Sequence, residues 1–137
     1  METVFSDWRV DDDGTVHSKI DLMRDMQAAG YFVLLLFVGL ANADLSILRV
    51  QTRVAEHGHN VEIDKLIRRF PRTQRAIREA IDIADAAILT DNSRTTREAF
   101  TVSRVQIGAN PTYDVREAGE PPPRIVEWLD IVSPPAL

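Results

Sequence analysis

Residues 31–40, Tyr-Phe-Val-Leu-Leu-Leu-Phe-Val-Gly-Leu, form a run of branched and aromatic residues without polar alternation. With its apolar neighbours the run covers residues 28–41, fourteen positions counting Gly30 and Gly39. That is short of the roughly 18 to 20 residues needed to cross a bilayer. A strand with no wet side suits the centre of a parallel sheet covered by helices on both faces.

The flanking segments supply those helices. Residues 19–29 place Ile20, Met23 and Met26 at helical spacing with Leu22 beside them, and Gly30 supplies a left-handed stop. Asn42 is a good N-cap for a helix over 43–57, with Asp44 in its first turn and Gly58 after its end. On that helix Ile47, Val50 and Val54 share one face, while Arg49, Arg53 and Glu56 share another. A further helical stretch starts near Glu62 with Ile63, Leu66, Ile67 and Phe70 apolar; Pro71 is expected to kink it or start a new helix, which turns Ile77, Ile81 and Ala84 inward. Residues 86–89 read as a second buried strand, 99–107 as a third, and 121–132 as a closing helix with Ile125, Trp128, Leu129 and Val132 on one face. Residues 1–6 read as the end of a strand, followed by an acidic, turn-rich loop through Gly14. Helices alternating with buried strands predict an α/β domain with a parallel sheet and flanking helices, whose ligand lies beyond the carboxyl ends of the strands. Those ends are residues 39–42 and 91–93.

The length, 137 residues, is that of one domain with enough apolar side chains, 45%, to bury a core. The absence of cysteine removes disulfide frameworks, thiolate zinc sites and a cysteine nucleophile. Glu2, Asp7 and three consecutive aspartates near the start are unlike a secretory leader, so a cytoplasmic protein without a membrane span is expected. The net charge of -5 is unevenly spread. Residues 49–78 carry eight basic side chains against three acidic ones, and fourteen of the sixteen cations in the chain are arginine. Guanidinium presents a planar fork suited to phosphate or carboxylate oxygens.

Such a cluster is ordinarily a solvated helical surface. A phosphate clamp is the sharper reading, because Arg49 and Arg53 lie four apart, and Arg68, Arg72 and Arg75 fall at i, i+4 and i+7 if Pro71 does not break the helix. Nucleic-acid binding is disfavoured by the acidic whole and by Phe70 being the one aromatic residue of the window. His57-Gly58-His59 lacks the further ligands of a closed metal site, and Asp11-Asp12-Asp13-Gly14 lacks the later Glu of a calcium loop, so no metal site is expected. No G-x-x-x-x-G-K-[ST] occurs, and the six glycines are isolated from one another.

Residues 2–6 (Glu-Thr-Val-Phe-Ser), 29–31 with the strand that follows, 45–53, 58–61 (Gly-His-Asn-Val), 68–72 (Arg-Arg-Phe-Pro-Arg) and 91–93 (Asp-Asn-Ser) together resemble the zeta-toxin-like P-loop kinases. The most specific stretch is an R-V-x-x-R-V helix, then G-H-x-V, then a helix with paired arginines. The resemblance implies an ATP- and Mg²⁺-dependent phosphotransferase acting on a small molecule or a nucleotide sugar such as UDP-N-acetylglucosamine. It implies that Arg53 and one of Arg68 or Arg69 stabilise charge on the transferring phosphate. It further implies that Glu2, with Thr3 beside it, holds the acceptor, and that Asn92 and Ser93 lie near the nucleotide base. His57 stands where the family more often has a second glycine, and Asn60 where it often has Asp.

The family's Walker A loop, its lysine and its catalytic aspartate precede the matched region. The chain is therefore expected to be the C-terminal portion of a single kinase domain, N-terminally truncated and inactive alone, whose partners would be a complementing N-terminal half or an antitoxin. The alternative is a non-catalytic module that uses the arginine lid to hold an anion or a protein. A truncated sheet would leave one edge and an apolar face of the 31–40 strand exposed, favouring self-association. Translation of the DNA upstream of Met1 is expected to show G-x-x-x-x-G-K-[ST] in one of its frames. Finding none would rule out an intact enzyme encoded at that locus.

Overall fold

The structure, a computed structural model, describes residues 8–40, 43–56 and 62–135, without the side chains at 43, 46, 53 and 96. Its elements run β1 (Trp8–Val10), β2 (Val16–Ser18), α1 (Lys19–Ala28), β3 (Leu34–Gly39), α2 (Ala43–Ala55), α3 (Ile63–Ile83), β4 (Ala86–Asp91), β5 (Thr101–Ile107), β6 (Asn110–Asp114) and α4 (Pro123–Val132). The segment read as a strand over residues 1–6 lies outside the described residues.

β1 and β2 pair antiparallel, Trp8 opposite Ser18. The acidic stretch is their turn: Asp11 donates its N–H to the Thr15 carbonyl at 2.9 Å, and Gly14 takes φ +84°. The chain passes directly from β2 into α1 through a capping box. The Ser18 hydroxyl accepts from the Ile20 N–H at 3.2 Å, and the Asp21 carboxylate accepts from the Ser18 N–H at 3.4 Å. Gly30, at φ +87°, ends the helix as expected.

The main sheet has the order β3-β4-β5-β6. β3 and β4 are parallel, with Leu34 opposite Ala86, whereas β4–β5 and β5–β6 are antiparallel. The fold is therefore mixed α/β with a mostly antiparallel sheet, and the expectation of a parallel sheet holds for one strand pair alone. The reason lies in connection length. A parallel return needs a crossover of a dozen or more residues. α2 and α3 provide one between β3 and β4, but β4 and β5 are joined by residues 92–100 and β5 and β6 by a tight turn at Gly108, φ +55°.

β3 is likewise not the central strand its composition suggests. It lies at one edge of the described sheet, and its side chains alternate: Leu35 is buried while Leu34, Leu36 and Val38 are exposed. Three helices bury one face of the sheet. Ile20 and Met23 of α1, Ile77, Ala80 and Ile81 of α3, and Ile125, Trp128, Leu129 and Val132 of α4 form one cluster with Leu35, Ala87 and Leu89. The inward residues expected on α1, α3 and α4 all belong to that core, except that Met26 and Leu22 are only partly buried. α3 runs unbroken through Pro71 from Ile63 to Ile83. A mid-helix proline costs on the order of 3 kcal/mol. Burial of Ala76, Ile77, Ala80 and Ile81 in the following turns offsets it.

Two contacts anchor β3. At its start the Asp85 carboxylate accepts from the Val33 N–H at 2.7 Å and from the Gln27 amide at 3.1 Å, tying α1, β3 and β4 together. Those two donors, Val33 first, hold the Asp85 carboxyl below its ordinary value. At its end Gly39 lies against the indole of Trp128, whose ring also stacks on Phe37 at a centroid distance of 6.2 Å. A Cβ at residue 39 would collide with the indole carbons. Gly39→Ala is therefore expected to lower stability by about 1–3 kcal/mol, the usual range for overpacking, read as a lower midpoint in urea unfolding followed by Trp fluorescence. An unchanged midpoint would show that α4 can shift freely from the sheet.

Candidate functional site

The carboxyl ends of β3 and β4 lie side by side, Gly39 opposite Asp91. Beyond them the Asn92 N–H donates to the Gly39 carbonyl at 2.9 Å, and the Arg49 guanidinium of α2 donates to the Asn92 carbonyl. Asp91 is fully buried and accepts from the Ser93 N–H at 2.9 Å through Oδ1. Its Oδ2 faces the buried Nε of Arg94 at 3.5 Å, and neither atom makes a hydrogen bond. Arg94 reaches on to Glu98 through Nη1 at 3.0 Å. The strand ends therefore gather two guanidinium groups around the backbone of residues 91–93. Arg49 is the residue that sequence reasoning placed in the arginine window, and Asn92 and Ser93 are where the strand-end rule put them.

The second feature is the outer surface of α3. Lys65, Arg68, Arg69, Arg72, Arg75 and Arg78 are all exposed, and no acidic residue occurs between Asp64 and Glu79. Because the helix is continuous, Arg68, Arg72 and Arg75 fall within about one quarter of its circumference, at roughly 100° per residue. Arg68 donates its Nε to the Asp64 carbonyl at 3.2 Å, and Lys65 lies 3.3 Å from Glu62. Arg69, Arg72, Arg75 and Arg78 form no ion pair among the described residues, so their charges face solvent.

Of the remaining residues singled out from the sequence, Glu2 and Thr3 lie outside the described residues, as do His57 and His59. Arg53 is on α2, one turn beyond Arg49, with its side chain outside the description. The structure joins Asn92 to Arg49; the described bond of Arg68 is to its own helix, and Arg69 points outward. Among the described residues no group of three or more His, Cys, Asp or Glu is placed to hold a metal ion, and no helix is long and apolar enough to cross a membrane.

An ion network on the helix-covered side of β5 and β6 escaped the sequence reading. Arg116 forks onto Asp114, Nε to Oδ1 at 2.9 Å and Nη2 to Oδ2 at 2.6 Å, and its Nη1 reaches Asp130 at 2.8 Å. Arg104 bonds the same Asp114 carboxylate from the neighbouring strand. The network borders a cleft of about 920 Å³ between α3, β5, β6 and α4, with Gln106, Arg78 and Asp82 also on its walls. These guanidinium groups are already matched by carboxylates, so the network holds β6 and α4 together and leaves little net positive charge for a ligand. The spacing Asp114-x-Arg116 was visible in sequence; the cross-strand approach of Arg104 was not.

Comparison with family models, with curated proteins and with solved structures finds no match to the chain.

Burial alone would raise the Asp114 carboxyl, but the hydrogen bonds from Arg116 and Arg104 outweigh it and hold the group at about 2, against an ordinary 3.8. Between those values the unfolded chain binds a proton more readily than the folded one, so stability is present above about pH 4 and falls as pH drops towards 2. Acid titration followed by circular dichroism is expected to show that loss. Asp114→Asn, less stable at neutral pH because Arg104 is left without its carboxylate, should show a flatter profile over the same window. An identical pH dependence in the two proteins would contradict the assignment.

Proposed function

We propose that this chain is an anion-binding module in which the arginine-bearing surface of α3, with Arg49 at the strand ends, holds phosphate groups. The observation that carries the reading is the uninterrupted cationic arc from Lys65 to Arg78, six exposed cations without an acid among them. Guanidinium groups one helical turn apart can each engage a different phosphate oxygen with paired N–H donors. Within the arc, Arg69 and Arg72 have no acidic residue three or four positions away on the helix.

The finer reading is that these helices are the lid of a zeta-toxin-type kinase with a P-loop kinase-like parallel sheet. Its substrate would be a small molecule or nucleotide sugar, with ATP and Mg²⁺ bound between Arg53, Arg68 or Arg69 and the Asn92–Ser93 corner. One observation favours it: Arg49 docks α2 on Asn92, the corner at which that reading puts the nucleotide base. The parallel pair β3–β4 is the part of the sheet consistent with it. Glu2 and Thr3 would hold the acceptor. With no glycine-rich loop and lysine in the sequence, transfer of phosphate by this chain alone is not part of the proposal.

Calorimetric titration with ATP and with inorganic tripolyphosphate, each with and without Mg²⁺, tests both levels. Binding is expected to weaken as salt rises. The double variant Arg72→Glu, Arg75→Glu is expected to lose at least about tenfold in affinity, on the order of 1.4 kcal/mol. Tripolyphosphate and ATP binding equally would favour the plain anion site, and a preference for ATP lost in Arg49→Ala would favour the kinase lid. No binding of either anion at low salt would sink the proposal, and phosphate transfer by the chain alone would overturn its non-catalytic part.

A further inference from the structure

The face of the main sheet opposite the helix cluster is uncharged at every registered position of its four strands. It carries Leu34, Leu36 and Val38 of β3, Val102 and Ile107 of β5, and Tyr113 of β6, all exposed, with Leu36 and Ile107 at 62% and 60% of full exposure. Ile88 and Val105 lie between them, partly exposed. Polar residues would normally alternate outward on a sheet that faces water. Here Thr90 and Asn110 are the polar residues at the registered outward positions, and the others are apolar, which shapes most of this face for an apolar neighbour.

We infer that the neighbour is a second copy of this chain, seated sheet against sheet about a twofold axis. A largely apolar, uncharged face matches a second copy of itself, which is what an isologous contact requires. Two such faces pack about 10 Å apart with their strands roughly aligned. A partner bearing charge on its contact surface would find no counter-charge here.

Size sets the strength. Four strands about 4.8 Å apart and five to six residues long, at about 3.3 Å per residue, give a patch of roughly 300–400 Å² in projection. Standard stable interfaces bury about 800 Å² per partner. The contact is about half that size, at the low end for specific interfaces, so the dimer is reversible and depends on concentration.

Sedimentation velocity of the full chain from about 1 to 200 µM tests this. A shift from 15.4 kDa monomer towards dimer is expected across that range. Leu36→Glu should hold the protein monomeric with an unchanged circular dichroism spectrum, while Arg69→Glu, on the helix side, should leave dimerisation as it was. Because the chain has no cysteine, Leu36→Cys and Arg69→Cys each introduce a single thiol, and oxidation should cross-link the first into dimer far more than the second. A monomer at 200 µM would overturn the inference. So would a dimer or larger assembly that Leu36→Glu leaves intact, since that would assign association to the open edge of β3 or to another surface.

Discussion

The contact between Trp128 and Gly39 is the one on which the rest of the architecture leans. α4 is the last described element, and its indole reaches across to the far end of β3, which among the described residues pairs on one side only. A residue with any side chain at 39 would lift the helix off the strand. The same glycine offers its carbonyl to Asn92, and Asn92 offers its own to Arg49. Packing in the core and the position of α2 at the strand ends are thus joined through three consecutive contacts. Loosening the first would be felt at the last.

Much of this was legible in the sequence where one element explains itself. α1 and α4 declare their apolar faces by spacing, α1 also by Gly30, and the inward residues of α3 repeat every three or four positions after Pro71. The cationic arc followed from the same periodicity. Properties that depend on neighbours were less accessible. An apolar run such as 34–39 reads alike whether both faces are covered or one is left bare, and here one is bare. β6, Asn-Pro-Thr-Tyr-Asp, has the composition of a loop and becomes a strand because β5 offers it an edge. The direction of β5 was in principle readable, since nine residues cannot carry a parallel crossover. The approach of Arg104 to Asp114 exists only once that register is fixed.

Arginine plays two physically different parts in this molecule. Arg104 and Arg116 are mostly buried, share one carboxylate and act as struts, each guanidinium satisfying geometry that lysine could not reproduce. Arg69, Arg72, Arg75 and Arg78 stand in water and form no ion pair among the described residues. Screening reduces the field of such exposed charges beyond about 8–10 Å at ordinary salt, so they act on ligands that come close. The acidic remainder of the chain gives the whole a net charge of -5, which leaves α3 as a local exception and favours approach along that helix.

The layering of the molecule has a geometric outcome. α1, α3 and α4 lie on one side of the sheet, so any assembly joined through the opposite side turns these helices outwards, back to back across several layers of about 10 Å each. A single unit offers one arginine surface. The doubled unit would offer two that face away from each other and cannot reach one short anion together. Long or repeating polyanions would then be bridged or looped rather than merely held, and their apparent affinity would grow with their length.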